Sequence, residues 1–271
     1  MNDTLRNLRI IVRGAGEMAT GTACRLYRSG FTKLLMTDIA APLAVRRPVS
    51  FCEAVWEGSW EVEGIRAVKI TRPEEALQHW DQGTIPVIVD PENLSRNVIK
   101  PHVVVDAILA KVNLGTSIID AELVVALGPG FYAGQDAHYV VETNRGHNLG
   151  RLIFEGLAAP NTGTPGDIAG QTTTRVLRAP RDGVFRAEAA IGTPVKLGQV
   201  VGSVADTPVT AGLDGVLRGL IRPGLSVVRG LKIGDVDPRG DASYCYTISE
   251  KARAIGGAVL EAIMMTFNNR R

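Results

Sequence analysis

Short apolar runs that stop at glycine or aspartate set the pattern of the first half of the chain. Leu8-Arg9-Ile10-Ile11-Val12-Arg13 runs into Gly14, and Lys33-Leu34-Leu35-Met36-Thr37 runs into Asp38. Pro86-Val87-Ile88-Val89 ends at Asp90, and His102-Val103-Val104-Val105 ends at Asp106. Apolar runs of this length without polar alternation predict strands covered on both faces, as in a parallel sheet. Thr20–Arg28 has helical character between the first two runs, and Pro73–Trp80 predicts a short helix further on. The alternation of strand and helix predicts an α/β unit with a Rossmann-like parallel sheet.

The first strand leads into Gly14-Ala15-Gly16-Glu17-Met18-Ala19, a G-x-G-x-x-A sequence, with Asp38 22 residues after the second glycine. In a strand–loop–helix context this spacing suits a dinucleotide. Gly14 permits the tight turn, Gly16 a close backbone approach to pyrophosphate, and Ala19 a helix packed near the sheet. The helix N-terminus then faces the anion, and Asp38 accepts from a ribose. The expected cofactor-binding set is therefore Gly14, Ala15, Gly16, Glu17, Met18, Ala19 and Asp38. Glycines kept for packing alone are the competing reading. Arg46 and Arg47 follow as either a neutralising pair for a 2′-phosphate or a solvated loop pair.

Residues 122–170 are rich in polar chemistry. After the strand Glu122–Leu127, Gly128-Pro129-Gly130 makes a loop able to present N–H groups to an anion. Arg145 suits a bidentate phosphate contact and His147 a proton transfer. With Asp106 and Lys111, the residues Gly128, Gly130, Arg145 and His147 form the expected substrate or anion pocket. No metal site is assigned, because Asp136, His138, Glu142 and His147 lack the His-x3-His spacing of a helical ligand pair. Cys52 reads as a buried small side chain or as a thiol beside the site.

An internal repeat organises the next segment. At an offset of 32 residues Ala179 matches Ala211, Asp182-Gly183-Val184 matches Asp214-Gly215-Val216, and Gly192 and Val195 match Gly224 and Val227. Asp-Gly turns and spaced valines predict short strands in two related halves, resembling the barrel-sandwich hybrid of biotinyl and lipoyl domains. The turn between halves, Val204–Pro208, holds no lysine, so a swinging-arm carrier is not expected. Thr247-Ile248-Ser249-Glu250 has a capping pattern before a terminal helix. The expected organisation is a nucleotide-binding domain at 1–175, a barrel-sandwich at 176–240 and a C-terminal helical segment at 241–271.

Composition narrows the partners. Thirty Lys+Arg against 28 Asp+Glu among 271 residues leaves a net charge of +2, dispersed along the chain, so nucleic acid is not expected. The longest charge-free stretch, Leu123–Gln135, is too short and glycine-rich to span a bilayer. Neither a signal-peptide pattern nor paired cysteine spacing is present, which predicts a cytoplasmic setting. A homodimer is the default expectation for a soluble chain of this kind.

The chain also resembles the accessory proteins of selenium-dependent molybdenum hydroxylases. The resemblance rests on Arg13–Gly21, Glu53-Ala54-Val55, Asp106-Ala107 with Ala110-Lys111, Leu127–Phe131, Glu142-Thr143 with Arg145-Gly146-His147, Asn161-Thr162-Gly163 with Pro165-Gly166, and Leu231–Gly240. It implies a maturation role in molybdenum cofactor handling, with NAD or a molybdopterin dinucleotide as ligand and the hydroxylase or its maturation machinery as partner. It assigns no catalytic residue and leaves open whether the chain is an enzyme. The alternatives are an NAD-dependent oxidoreductase and a non-enzymatic assembly factor that docks the hydroxylase.

Overall fold

The computed structural model describes residues 3–163 and 166–268. Thr164 and Pro165, part of one motif above, lie outside them. The chain divides into two compact units. Unit 1 comprises Met1–Pro42, Ser50–Thr162 and Ile248–Arg271, and unit 2 comprises Leu43–Val49 and Gly163–Thr247.

In chain order the strands of unit 1 are β1 (Ile10–Arg13), β2 (Leu34–Asp38), β3 (Ser59–Val62), β4 (Ile65–Ile70), β5 (Ile85–Val89), β6 (Val103–Asp106), β7 (Leu123–Leu127), β8 (Tyr132–Ala133), β9 (Tyr139–Val141), β10 (Leu152–Ile153) and β11 (Gly156–Leu157). Its helices are α1 (Asp3–Arg6), α2 (Glu17–Arg28), α3 (Ala54–Glu57), α4 (Ala76–Asp81), α5 (Arg96–Ile99) and α6 (Glu250–Phe267). Nine strands form one sheet in the order β10-β9-β7-β6-β1-β2-β5-β4-β3, and β11 pairs with β8 apart from it. Ile10, Ile11, Val12, Val103, Val104 and Val105 are fully buried, as unbroken apolar runs in the middle of a two-sided sheet require.

The expected all-parallel Rossmann-type sheet is corrected in two respects. The sheet is mixed, because β3 lies antiparallel to β4 and β10 antiparallel to β9. The order also departs from the usual Rossmann one, in which the third parallel strand lies beside the second. Here β5 pairs with β2 and separates it from β4. The β3–β4 hairpin, closed by left-handed Glu63 and Gly64, delivers β4 to the outer flank and leaves the inner position to β5.

The terminal helix is a wall of unit 1. Ser249 caps α6 by accepting the Ala252 N–H, and Ala252, Ile255, Ala258, Val259, Ala262 and Ile263 are buried. Gly21 of α2 faces Ala252 and Ile248, and Gly256 of α6 faces Arg25 and Thr22, so the two backbones approach through glycine.

Unit 2 carries β12 (Val176–Arg178), β13 (Gly183–Ala187), β14 (Pro194–Val195), β15 (Val200–Val204), β16 (Thr207–Thr210), β17 (Gly215–Leu220), β18 (Ser226–Val227) and β19 (Lys232–Asp237). The expected barrel-sandwich is corrected to two separate four-stranded antiparallel sheets, β12-β19-β17-β14 and β16-β15-β13-β18. Each has a two-residue edge strand, β14 or β18, too short to carry hydrogen bonding round a barrel, and Pro194 lacks a donor. The 32-residue repeat nevertheless organises both sheets. It carries β13, β14 and β15 onto β17, β18 and β19, so each sheet draws strands from both halves.

Arg46 and Arg47 are not a solvated loop pair. Buried Arg46 donates to the carbonyls of Tyr244 and Thr247, and Arg47 to that of Leu220, all within unit 2. Nearby, buried Asp237 accepts from Arg239 at 2.9 and 2.7 Å and pairs with Arg218 at 3.4 Å. Burial pushes its carboxyl upward, but the Arg239 hydrogen bonds and the two guanidinium charges hold it below the usual carboxylate range. A carboxyl with a depressed folded pKa stabilises above its unfolded value, about 3.9, and loses that contribution as pH falls through the folded value. Unfolding free energies from urea titrations should therefore fall by up to about 1.4 kcal/mol per unit as pH drops below about 4, a slope absent in Asp237→Asn.

Candidate functional site at the carboxyl end of the unit 1 sheet

β1 runs through α2 to β2 on one flank, whereas β5 returns through α5 to β6 on the other flank of β1. The sheet order therefore reverses between β1 and β6, the position at which open α/β sheets hold ligands beyond their carboxyl ends. Arg13, Asp38, Asp90 and Asp106 stand at or just beyond the ends of β1, β2, β5 and β6.

Each of the three aspartates is committed to the protein's own donors. Asp38 accepts the N–H groups of Ala15 and Ile39, both at 2.8 Å. Burial raises its pKa, with those two hydrogen bonds acting the other way. Asp90 accepts from Leu94 N–H at 2.9 Å, Ser95 N–H at 2.8 Å and the Ser95 hydroxyl. Asp106 accepts from the Thr116 hydroxyl at 2.6 Å and Ile108 N–H at 3.1 Å, and it pairs with Arg13 at 3.5 Å. Burial raises its pKa against the pull of Thr116 and Arg13.

Arg13 ties the loops together. It is 2 % exposed and also donates to the Thr116 hydroxyl. Its Nη2 reaches the carbonyl of Pro91, after β5, at 3.2 Å and that of Leu114, after β6, at 3.0 Å. One nitrogen thus joins loops arriving from opposite sides of β1.

The glycine loop is held just as firmly. Gly14 N–H donates to Thr37 O at 2.7 Å, and Ala15 O accepts from Cys52 N–H at 2.9 Å and the Thr20 hydroxyl at 3.1 Å. Gly14 has φ +92°, and a Cβ there would fall 2.9 Å from Ala107 O, so glycine is required on both counts. Gly16 is different: it caps α2 with φ −71°, nothing lies within 4 Å of its Cβ position, and no side chain caps the helix. Glu17 is half-buried at the first turn, while Met18 and Ala19 turn inward. Cys52 is fully buried.

Among the remaining expected pocket residues, Lys111 and Gly130 meet. A Cβ on Gly130 would lie 2.8 Å from Val112 N and 2.9 Å from the Lys111 carbonyl carbon. Lys111 and Leu109 both hold left-handed backbones, at φ 70° and 60°, a strained pair that the packing sustains. Lys111 is exposed overall, partial desolvation lowers its ammonium pKa, and the ammonium forms no ion pair among the described residues. Gly128 packs on Thr143 and its N–H donates to Val141 O, so that amide is not offered to a ligand. Arg145 pairs with Glu250 at the start of α6, and His147 is exposed two residues on. Neither joins Lys111. Asp136, His138 and Glu142 accept from the backbone N–H groups of Tyr132, Val124, and Asn144 with Ala159.

Sequence reasoning did not single out Arg13 or Thr116 as site residues. The available signal was an arginine ending an otherwise apolar strand, a place where burial forces it to find partners.

No protein-family model matches the chain. It is 49% identical over 256 residues to "Uncharacterized protein YqeB" of Escherichia coli (strain K12), over 94% of this chain and 47% of that protein. The chain thus spans about half the length of the curated relative it matches. Solved structures include a succinylglutamatedesuccinylase/aspartoacylase from Rhodobacter sphaeroides, 26% identical over 24% of this chain and 22% of the other, at TM-score 0.22. An aspartoacylase family protein from Mesorhizobium loti is 14% identical over 83% and 85%, at TM-score 0.28. Such scores establish neither fold nor activity for this chain.

None of these proteins is described as a molybdenum hydroxylase accessory protein, and the expectation drawn from that resemblance is corrected: no maturation role is assigned. The NAD and molybdopterin dinucleotide expectation, with the oxidoreductase alternative, is corrected too. The acid reserved for a ribose, Asp38, is held by Ala15 and Ile39, and β5 occupies the position that the usual order gives to the third strand. No helix among the described residues is long and apolar enough to cross a membrane.

Proposed function

We propose that unit 1 is a receptor for a small anion, a carboxylate or phosphate, held at the carboxyl end of the sheet. The Lys111 ammonium and the first-turn amides of α2 are its donors. The observation that supports this reading is the state of the charges there. All three strand-end carboxylates have partners in the protein, while among the described residues exposed Lys111 forms no ion pair and nothing lies within 4 Å of the Cβ position at the α2 cap, Gly16. A 12-residue helix presents partial positive charge at its N-terminus, a field that favours an anion.

The test is calorimetric titration with inorganic phosphate and with short alkanoates. A charged hydrogen bond is worth about 1.5–3 kcal/mol, so Lys111→Met should weaken binding more than tenfold. Gly16→Leu should do likewise by occupying the approach, since its backbone is one that any residue adopts. Binding should also fade as pH rises through the Lys111 pKa, below lysine's ordinary value, because the ammonium is charged only beneath it. Undiminished affinity in both variants, or no saturable binding by the wild type, rejects the receptor.

A further inference from the structure

The two halves of unit 2 build the same junction twice, and the two copies differ in charge. In the first, residues 178–182 run beside residues 228–232. Ala179 N–H donates to Leu231 O at 2.9 Å, Gly230 N–H to Ala179 O at 2.8 Å and Arg229 N–H to Asp182 Oδ1 at 2.7 Å. In the second, residues 210–214 run beside residues 196–200. Ala211 N–H donates to Gln199 O at 2.9 Å, Gly198 N–H to Ala211 O at 2.8 Å and Leu197 N–H to Asp214 Oδ1 at 2.8 Å. The 32-residue offset carries every one of these partners onto its counterpart.

The side chains do not follow the backbone. Arg178, Arg181, Arg229 and Lys232 of the first junction stand where the second has Thr210, Leu213, Leu197 and Val200. The same backbone thus closes with neutral residues, and the fold does not require the four cations. The second junction's own cation, Lys196, is neutralised by Asp214 at 2.9 Å. In the first, Asp182 is the one acid in the two segments, and the strand register sets Arg178 opposite Lys232, a like-charge pair that costs stability. Arg178, Arg181 and Arg229 are exposed and form no ion pair among the described residues, and the Arg178 guanidinium donates to Gly230 O at 3.0 Å. Lys232 lies 3.9 Å from Asp235, which is already paired with Arg175. Val228, next to Arg229, is 63 % exposed.

We propose that this charged junction is a docking surface for an acidic polypeptide segment. Guanidinium groups grip carboxylates through paired N–H donors, and Val228 offers an apolar contact between them, the mixture that protein interfaces favour. The cations form a local patch on two bonded segments and not a stripe along which a phosphate backbone would run, so nucleic acid is the poorer fit. This surface belongs to unit 2 and stands whether or not unit 1 binds an anion.

The test is fluorescence anisotropy with a labelled peptide of six glutamates interspersed with valine and glycine, against an oligothymidylate carrying six phosphates. The wild type should bind the peptide saturably and in preference to the oligonucleotide, more weakly as salt rises. The triple variant Arg178→Thr, Arg181→Leu and Arg229→Leu installs the residues of the second junction. It should bind the peptide about tenfold or more less tightly, with Tm unchanged or raised because a like-charge pair is gone. Equal peptide binding by wild type and variant, or no saturable binding by the wild type, overturns the docking surface. Tighter binding of the oligonucleotide overturns the polypeptide partner. A collapsed Tm in the variant makes the cations structural and overturns the premise, and the wild type's own preference is decided without the variant.

Discussion

Asp106→Ala is expected to destabilise unit 1 by about 3–5 kcal/mol, because it leaves a buried guanidinium without its carboxylate. Arg13 is 2 % exposed and Asp106 1 % exposed, and the Thr116 hydroxyl lies between them, in contact with both. Removing the carboxylate strips the acceptor from Thr116 and Ile108 as well as the counter-charge from Arg13. The raised pKa of Asp106 points the same way, since desolvation outweighs the attraction and the pair contributes little net favourable charge energy. The double variant Arg13→Met with Asp106→Leu should therefore lose much less than the single change. Urea unfolding of wild type, both single variants and the double variant measures the coupling. A loss for Asp106→Ala no larger than that of the double variant would remove the case for a charge pair that organises the loops.

The same cluster shows what was legible in the sequence and what was not. β1, β2, β5, β6 and β7 stand out because a strand covered on both faces has little choice but an apolar run. Their order in space leaves no such trace. Nothing local to Ile85–Val89 indicates that it pairs with β2 and displaces β4, because that choice is made by packing across the whole sheet. Asp38 occurs at the spacing of a ribose acceptor, but spacing does not distinguish a ribose hydroxyl from the Ala15 N–H that it meets. Lys111 and Gly130 were both legible as site candidates, although their contact is backbone packing and not a shared ligand loop. Asn93 was invisible for a physical reason. A polar residue beside Pro91 and two acids looks solvated, and only the fold buries it while Leu94 faces out.

Gly21→Leu should cost about 3 kcal/mol or more and should weaken anion binding, although residue 21 touches no candidate ligand group. A Cβ at Gly21 would lie 2.7 Å from the Ala252 Cβ and 3.2 Å from Ile248 Cγ2, and a Cβ at Gly256 on the facing helix would lie 3.1 Å from Gly21 O. Larger side chains forced into tight packing typically cost 1–3 kcal/mol, and here α2 and α6 must separate to admit one. Separation tilts α2, whose N-terminus at Gly16 contributes the amides of the proposed site. Gly257→Ala supplies the opposite sign on the facing helix, α6. Nothing lies within 4 Å of its Cβ position, so the gain in helix propensity should add up to about 1 kcal/mol without affecting binding. Urea unfolding, amide exchange along α6 and phosphate titration of both variants carry the test. If Gly21→Leu loosens α6 but binds phosphate as the wild type does, the orientation of α2 is not what the anion reads, and the Lys111 loop alone must hold it.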